Sequence, residues 1–317
     1  MAYHSRNAVL IIIFNRPHAT HRVFHEVRRA RPPRLYVAAD GPRRNRCGEA
    51  ERCNESRRIA TEVDWPCDIR TLFHPKNLGS AVAIPQAVNW FFGHEEKGVV
   101  LEDDCLPCPG FFQFCDQLLE RFKEEPRVWW INGSNLALNG SFAANYYAFS
   151  SYAASWGWAS WRRAWTHFDP STPALTAAEL STVLHSRFSH SPLVRFYWRF
   201  IWDYAYRIKN WDYRWLFTCW RHDALACVPG VNLICNIGSG GDAVHTRNPK
   251  DKRLHIPCGE LQMPIEGPAD LVRSHAVDRH FEQSLYQISL LNVFRVLVLS
   301  RAPWLRTLKR RFHQGTC

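Results

Sequence analysis

Residues Gly98–Phe112 read GVVLEDDCLPCPGFF, an apolar run that ends in three consecutive carboxylates. Adjacent like charges repel one another, and at the edge of a core they also lose hydration, so they need a compensating cation or a wet surface. The chain is otherwise basic, with 40 Lys and Arg against 29 Asp and Glu and a formal charge of +11. The stretch therefore predicts a buried strand that leads into a functional site.

Earlier short apolar runs also end in polar clusters, and helix-length segments separate them. The runs are Val9–Phe14, Leu35–Ala39 and Ile69–Phe73. This alternation is typical of βαβ units and a parallel sheet, in which ligands bind at the carboxyl ends of the strands. The polar clusters at those ends are Asn15-Arg16-Pro17, Asp40-Gly41-Pro42 and His74-Pro75-Lys76-Asn77. We therefore expect an α/β fold with one ligand site built from several strand ends.

Composition narrows the class of protein. A chain of 317 residues with 46% hydrophobic residues can bury a sizeable core, and its first apolar run is too short for a signal segment or a membrane span. The 11 cysteines are an odd number, and the chain is large enough to fold without disulfide bonds, which favours a reducing, cytoplasmic location. Cys105 and Cys108 form a C-x-x-C, but no second pair with zinc-site spacing follows, so a zinc site is disfavoured.

The carboxylates Glu102, Asp103 and Asp104 favour a hard divalent cation, because Mg²⁺ and Mn²⁺ prefer carboxylate oxygens and accept phosphate oxygens as further ligands. Such a cation removes the repulsion. It also explains the basic residues at the neighbouring strand ends, since Arg16 and Lys76 can contact phosphates. The alternative for the acidic triplet alone is a solvated turn.

Several segments in a fixed order now support a resemblance. They are VLIIIFNRP, YVAADGPR, HPKNLGSAVAIPQAVNWFF, VVLEDDCLPCPGFFQF, WGWASWRRAW, WDYRW and NIGSGGDAVHT, which together span roughly residues 9 to 250. The chain resembles the GT-A fold glycosyltransferases, and is similar to N-acetylglucosaminyltransferase I and to bacterial family 2 glycosyltransferases. The resemblance implies a Rossmann-like, mixed and mostly parallel sheet flanked by helices, with an aromatic-rich acceptor-side half.

The resemblance also implies roles at the donor end. The acidic triplet matches the family's D-x-D motif, whose last carboxylate, here Asp104, holds Mn²⁺ or Mg²⁺ on the donor diphosphate. Glu102 and Asp103 would contact the sugar or ribose. The remaining donor-side residues implied are Asp40 for the uracil, Arg16 for the diphosphate, and His74 with Asn77 for the nucleotide end. For Asp40 an Asx cap of the Gly41-Pro42 turn stays open.

Transfer with inversion needs a base that takes the acceptor hydroxyl proton. The family comparison indicates Asp212 in WDYRW, where Trp211 and Trp215 would limit water access and raise the carboxyl pKa. Asp203 and Asp242 are its competitors. Trp156, Trp158 and Trp161 would form acceptor-side walls together with Trp211, although packing in the core is an equal alternative for the first three.

The segment Asn232–Thr246 resembles the mobile loop that closes over the donor in these enzymes. Its His245 would supply a metal or diphosphate contact, with a surface imidazole as the alternative. The sequence departs from the family here, because Gly241 stands where Glu is usual and Val244 where Thr is usual. Any role that needs a Glu-Asp pair is therefore weakened.

We expect a metal-dependent transferase with a nucleotide-sugar donor, a UDP-sugar being favoured, and a glycan or lipid-linked acceptor of polysaccharide biosynthesis. The expected divisions are a nucleotide-sugar-binding subdomain at 1–150, an acceptor-binding and catalytic subdomain at 151–250 and a helical tail at 251–317. The tail, with its basic group after Leu299, is either a packing helix or a peripheral contact with the inner face of the membrane.

Two other classes compete with this interpretation. A sugar nucleotidyltransferase would place a Gly-rich basic loop after the first strand, and IIIFNRPHAT has no glycine there. A non-catalytic carbohydrate- or nucleic-acid-binding protein would use the aromatic residues and the positive charge. No nucleic acid partner is expected, because the basic residues are mostly dispersed and no nucleic-acid-reading motif accompanies them.

Overall fold

The computed structural model describes residues 3–136, 143–169, 175–238 and 255–294. Its strands are β1 (Ala8–Ile13), β2 (Arg34–Ala39), β3 (Asp68–Phe73), β4 (Lys97–Glu102), β5 (Cys105–Pro107), β6 (Val128–Asn132), β7 (Tyr147–Ser150), β8 (Trp158–Trp161), β9 (Leu225–Pro229) and β10 (Ile234–Asn236). Its helices are α1 (Pro17–Ala30), α2 (Glu49–Ala60), α3 (Ser80–His94), α4 (Phe111–Arg121), α5 (Arg162–Trp165), α6 (Ala177–Arg187), α7 (Pro192–Arg207), α8 (Trp211–Arg221) and α9 (His275–His280), which runs into a π-helical turn, Phe281–Leu285.

Eight strands form one sheet in the order β3-β2-β1-β4-β8-β6-β9-β7, and β5 pairs with β10 in a second, two-stranded sheet. The pairs among β3, β2, β1 and β4 are parallel, as is the β6–β9 pair, whereas β8 and β7 run antiparallel to their neighbours. The predicted α/β class, with a mostly parallel sheet flanked by helices, is confirmed. The sheet continues across residue 150, and the division into subdomains stays a prediction.

The first strand is apolar throughout because helices cover both faces of the sheet. Alternate β1 residues join two different core clusters, Val9, Ile11 and Ile13 with α1, α2 and α4 on one face, and Leu10 and Ile12 with α3 on the other. All six β1 residues are buried. A strand covered on both faces reads as a continuous hydrophobic run, which is the pattern AVLIII shows.

The chain order places a crevice beside β1. From β1 the chain moves outward through α1 to β2 and through α2 to β3, and then α3 carries it back to β4 on the other side of β1. A sheet of parallel strands opens where its order reverses in this way, at the carboxyl ends of the strands. The ends of β1 and β4 therefore meet the requirement for a ligand site.

Most tryptophans of the second half pack in the interior. Trp158 stacks on Trp130 with ring centroids 3.8 Å apart, and Trp198 packs edge-on against Trp220 at 4.8 Å. The helices α6, α7 and α8 enclose a separate apolar cluster around Tyr152. Within the described ranges, no helix is both long and apolar enough to cross a bilayer.

A buried carboxylate fastens the N-terminal segment to α4. Asp116 is 4% exposed and accepts hydrogen bonds from the Tyr3 hydroxyl at 2.9 Å, the Arg6 amide at 2.7 Å and the Asn7 side-chain amide at 2.6 Å. Because these donors satisfy the carboxylate, its burial is compatible with charge. The contact fixes the chain immediately before β1.

We expect Asp116→Ala to lower the free energy of unfolding by about 3 kcal/mol, since several buried donors lose their acceptor at once. Denaturant unfolding followed by tryptophan fluorescence measures the change. The matched control is Glu124→Ala, whose side chain is exposed just beyond α4. Equal stabilities for the two variants would show that Asp116 does not fasten this segment.

Candidate functional site

A cavity at the strand ends lies in the predicted crevice. Its volume is about 280 Å³. Ile12, Ile13, Ala83 and Ile84 supply apolar surface. The polar and charged residues around it come from the loops after β1, β2 and β4, from the start of α3 and from the segment before it, and they are Arg16, Asp40, Arg43, Asn77, Ser80, Glu102, Asp103 and Asp104. We call this space the first cavity.

Arg16 supplies a positive charge against two of the three consecutive carboxylates. Its guanidinium lies 2.5 Å from Asp103 and 2.7 Å from Asp104, measured between the nearest nitrogen and oxygen atoms. Asp103 is 2% exposed and also accepts a hydrogen bond from the Phe14 amide at 3.0 Å. The compensating cation that the sequence requires is therefore, in part, this arginine, which was predicted instead as a diphosphate contact.

One guanidinium does not neutralise three carboxylates. Among the described residues, the Glu102 carboxylate has no hydrogen-bond or ion-pair partner. Burial, with the charges of Asp104 and Asp103, raises the pKa of Glu102 well above its ordinary value. Burial and the charge of Asp104 also raise the pKa of Asp103, although Arg16 opposes them. The cluster keeps an excess of negative charge that a divalent cation would relieve, and its oxygen donors fit Mn²⁺ or Mg²⁺.

Asp40 holds two loops together at the rim of the first cavity. Its carboxylate accepts hydrogen bonds from the amides of Gly41 (2.8 Å), Leu78 (2.8 Å) and Gly79 (3.0 Å) and from the Asn77 side chain (2.9 Å). These donors occupy the acceptor positions of a carboxylate. The Gly41 contact agrees with the alternative of a turn cap, and a role for Asp40 in binding a base stays a prediction.

The other two predicted donor-side residues, Asn77 and His74, differ in whether they line the first cavity. Asn77 lines the first cavity, and its side chain also donates to the Gly41 carbonyl oxygen at 3.0 Å. His74 does not line it. The His74 carbonyl oxygen accepts a hydrogen bond from Arg57 at 2.7 Å, and Arg57 also donates to the Asp40 carbonyl oxygen at 3.2 Å. Arg57 thus ties together the residues that follow β2 and β3.

A second cavity of about 320 Å³ adjoins the first, and the two share Ser80, Ile84, Glu102 and Asp104 as lining residues. Its far side is formed by the start of α8 and the segment before it, with Asn210, Trp211, Asp212 and Tyr213, and by Ser155, Trp156, Ile208 and Asn236. The negative charge of Asp212 contributes to the raised pKa of Glu102. The fold therefore brings Asp212 to the carboxylates of the triplet, about a hundred residues away in the chain.

Local structure explains the position of Asp212. Asn210 caps α8, its side-chain oxygen accepting a hydrogen bond from the Tyr213 amide at 2.9 Å. The Asp212 carboxylate accepts from the same amide at 2.8 Å and sits in the first helical turn, where the helix dipole favours a negative charge. The competitor Asp203 is exposed on α7 and lines neither cavity.

The tryptophans predicted to form acceptor-side walls lie in different places, and a contact with an acceptor stays a prediction. Trp156 and Trp211 line the second cavity. Trp158 and Trp161 do not, because they are 1% and 3% exposed and pack in the core clusters on opposite faces of the sheet, so the core alternative is the right one for both. Trp215, expected beside Asp212 at the site, is 1% exposed in the core as well. Helices cover both faces of the sheet, so a tryptophan of β8 is buried whichever face it lies on.

Two supporting residues were not predicted. Glu49 is fully buried at the start of α2, where it accepts hydrogen bonds from the Asn15 side chain at 2.9 Å and the Arg43 amide at 2.7 Å and forms an ion pair with Arg43. Gly238 also lines the first cavity, and a Cβ there would lie 2.2 Å from an Asp104 oxygen and 2.7 Å from an Arg16 nitrogen. A larger residue there would displace the Asp104 and Arg16 side chains.

The other loop residues of interest lie outside the described residues. These are Gly241, Asp242, Val244 and His245. The basic group after Leu299 in the tail lies outside them too. Their predicted roles stay predictions.

Comparison with known proteins adds little to this geometry. No family model matches the chain. No curated protein matches it. Among solved structures, a UDP-glucose pyrophosphorylase complexed with UDP-glucose is similar, with 12% sequence identity and a TM-score of 0.25 over 43% of this chain. The match spans 65% of that protein's length. Similarity at this level does not argue for a shared activity, so the function must be inferred from the site.

Glu49 gives a pH-dependent prediction. Hydrogen bonds from Arg43 lower its pKa in the folded protein from 4.5 to about 2. A carboxylate whose pKa is lowered by folding stabilises the folded protein at pH values above its unfolded-state pKa. This stabilisation is lost as the pH falls from the unfolded-state pKa toward the folded-state pKa. We expect Glu49→Gln to lose about 2 kcal/mol of unfolding free energy near neutral pH.

The loss should shrink as the pH falls from about 4.5 toward about 2, because the wild-type carboxylate is then protonated too. Urea unfolding of both proteins across this range measures the difference. Glu51→Gln, an exposed residue of the same helical turn, is the control. A difference from wild type that does not change with pH would contradict the assigned ion pair.

Proposed function

We propose that this chain is a glycosyltransferase that moves a sugar from a nucleotide diphosphate sugar, a UDP-sugar being favoured, to an acceptor hydroxyl with inversion. The observation that carries the proposal is the junction of two cavities at Glu102 and Asp104. One cavity lies at parallel strand ends, where nucleotides bind in α/β sheets, and the other is lined by aromatic side chains and a carboxylate. A donor and an acceptor can thus meet at the carboxylates.

The first cavity suits the donor. Its apolar surface and the loop edges at Asp40 and Asn77 form a recess for a nucleoside, and Arg16 can donate to a diphosphate through guanidinium N–H groups that Asp103 and Asp104 do not use. Asp104, with Glu102 beside it, would hold Mn²⁺ or Mg²⁺. Such an ion neutralises the charge that develops on the departing diphosphate.

The second cavity suits a sugar acceptor. Trp156, which is partly exposed, offers indole surface of the kind that packs against the apolar face of a sugar ring, and the 7% exposed Trp211 contributes an edge of the wall. Asp212 would take the proton of the acceptor hydroxyl as its oxygen attacks the anomeric carbon. The bond between that carbon and the diphosphate oxygen breaks on the opposite face, so the configuration inverts. A glycan or lipid-linked acceptor is consistent with this cavity.

The test is turnover of UDP-sugars by matched variants. We expect Asp212→Asn to lower kcat by about 10²- to 10⁴-fold, the range for loss of a general base, while donor affinity stays within a few-fold of wild type. Asp203→Asn, an exposed aspartate on the neighbouring helix α7, should keep kcat near the wild-type value. Transfer is followed by release of UDP from a panel of UDP-sugars with simple glycoside acceptors.

Other outcomes would count against the proposal. Ordinary turnover by Asp212→Asn would remove this residue from the role of base. Formation of UDP-sugar from UTP and a sugar phosphate, without transfer to any glycoside, would replace the proposal with a nucleotidyltransferase. Failure of every nucleotide sugar to turn over, with tight binding of a glycan, would favour the non-catalytic carbohydrate-binding alternative.

A further inference from the structure

Three cysteines from distant parts of the chain converge beside the small sheet of β5 and β10. Cys108 follows β5, Cys235 is the middle residue of β10, and Cys258 lies further along the chain. The Cys235 sulfur is 3.2 Å from that of Cys258 and 4.0 Å from that of Cys108. Cys108 and Cys258 are joined by a disulfide bond, contrary to the expectation of reduced cysteines. Cys105, the other half of the C-x-x-C, is buried and takes no part.

A disulfide needs only two of these sulfurs, yet the third lies against both. The ligand atoms of all three lie within 4.8 Å of one another. Three thiolates bound to one Zn²⁺ at about 2.3 Å would be separated by about 3.8 Å in tetrahedral geometry. The two distances from Cys235 lie on either side of that value. Sulfur ligands select Zn²⁺ over the hard cations suited to the carboxylate cluster.

We propose that the reduced cluster of Cys108, Cys235 and Cys258 binds Zn²⁺ through its three thiolates, with water as the fourth ligand. Cys258 is exposed and Cys235 is partly exposed, so solvent can reach the fourth position. Within the described residues, no histidine or carboxylate joins the group. Binding involves no electron transfer, since each coordinating thiol releases its proton to solvent as its sulfur binds the ion.

The position of this cluster gives the ion a structural role. The Ile237 amide, directly after β10, donates to the Asp104 carbonyl oxygen at 2.8 Å, directly before β5. Next in the chain is Gly238, whose backbone lies against Asp104 and Arg16. An ion held by these three residues would fasten β10 to β5 and keep that wall of the first cavity in place. The inference does not depend on the proposed function, because it concerns metal content alone.

The experiment measures zinc in the full chain. The protein is reduced with a phosphine, which opens the disulfide to two thiols and becomes a phosphine oxide with water supplying oxygen and protons. It is then mixed with Zn²⁺ and freed of excess metal by gel filtration. We expect about one zinc ion retained per chain, and substitution with Co²⁺ should produce thiolate-to-cobalt charge-transfer absorption.

Variants assign the site. Cys235→Ser and Cys258→Ser should each lose the retained zinc and weaken the cobalt absorption, whereas Cys47→Ser, an exposed free cysteine elsewhere, should match wild type. Cys258 is exposed, so its replacement should not impair folding. Asp104→Ala should leave the cobalt absorption unchanged, which separates the sulfur site from the carboxylates. Zinc content in Cys235→Ser equal to wild type, or reduced wild type that retains no zinc, would overturn the proposal.

Discussion

The structure depends on how one guanidinium balances the carboxylates at the end of β4. Arg16 contacts Asp103 and Asp104, and Glu102 remains without a partner among the described residues. The carboxylates follow four buried residues of β4, so their charges lie at the edge of the core, where hydration is reduced. That excess of negative charge lies at the junction of the two cavities. A divalent cation held by Asp104 and Glu102 would balance it.

Several other buried carboxylates of the chain have many hydrogen-bond partners. This contrast distinguishes carboxylates that stabilise the fold from those available for binding or catalysis. Asp40 joins the loops after β2 and β3, Glu49 joins Asn15 to Arg43, and Asp116 fastens the segment before β1. Each accepts several hydrogen bonds, so its oxygens are satisfied without a ligand. Together they hold the strand ends in fixed positions. Among the described residues, Glu102 accepts no such hydrogen bond, and it lines both cavities.

The sequence predicts the βαβ half well, because its strands and helices are recognised from apolar patterns within short stretches of the chain. The crevice lies at the ends of β1 and β4, where the strand-end clusters place it, and Asp212 lines the adjoining cavity, while its role as base stays a prediction. Contacts between distant segments are less visible. Spacing disfavours a sulfur site at Cys105 and Cys108, whereas the partners of Cys108 lie 127 and 150 residues away. Trp158 belongs to the core because helices cover both faces of the sheet, which the composition of its segment does not reveal.

Calorimetric titration of UDP into the protein, with Mn²⁺ and again with a chelator, tests most directly whether the uncompensated carboxylates bind a cation that the nucleotide needs. The account predicts that UDP binds only when Mn²⁺ is present. It also predicts that Asp104→Ala lowers the affinity for UDP by more than about 100-fold. Asp68→Ala, at an exposed residue of the edge strand β3, should leave that affinity unchanged. UDP binding that persists with the chelator, or no binding with Mn²⁺, would contradict it.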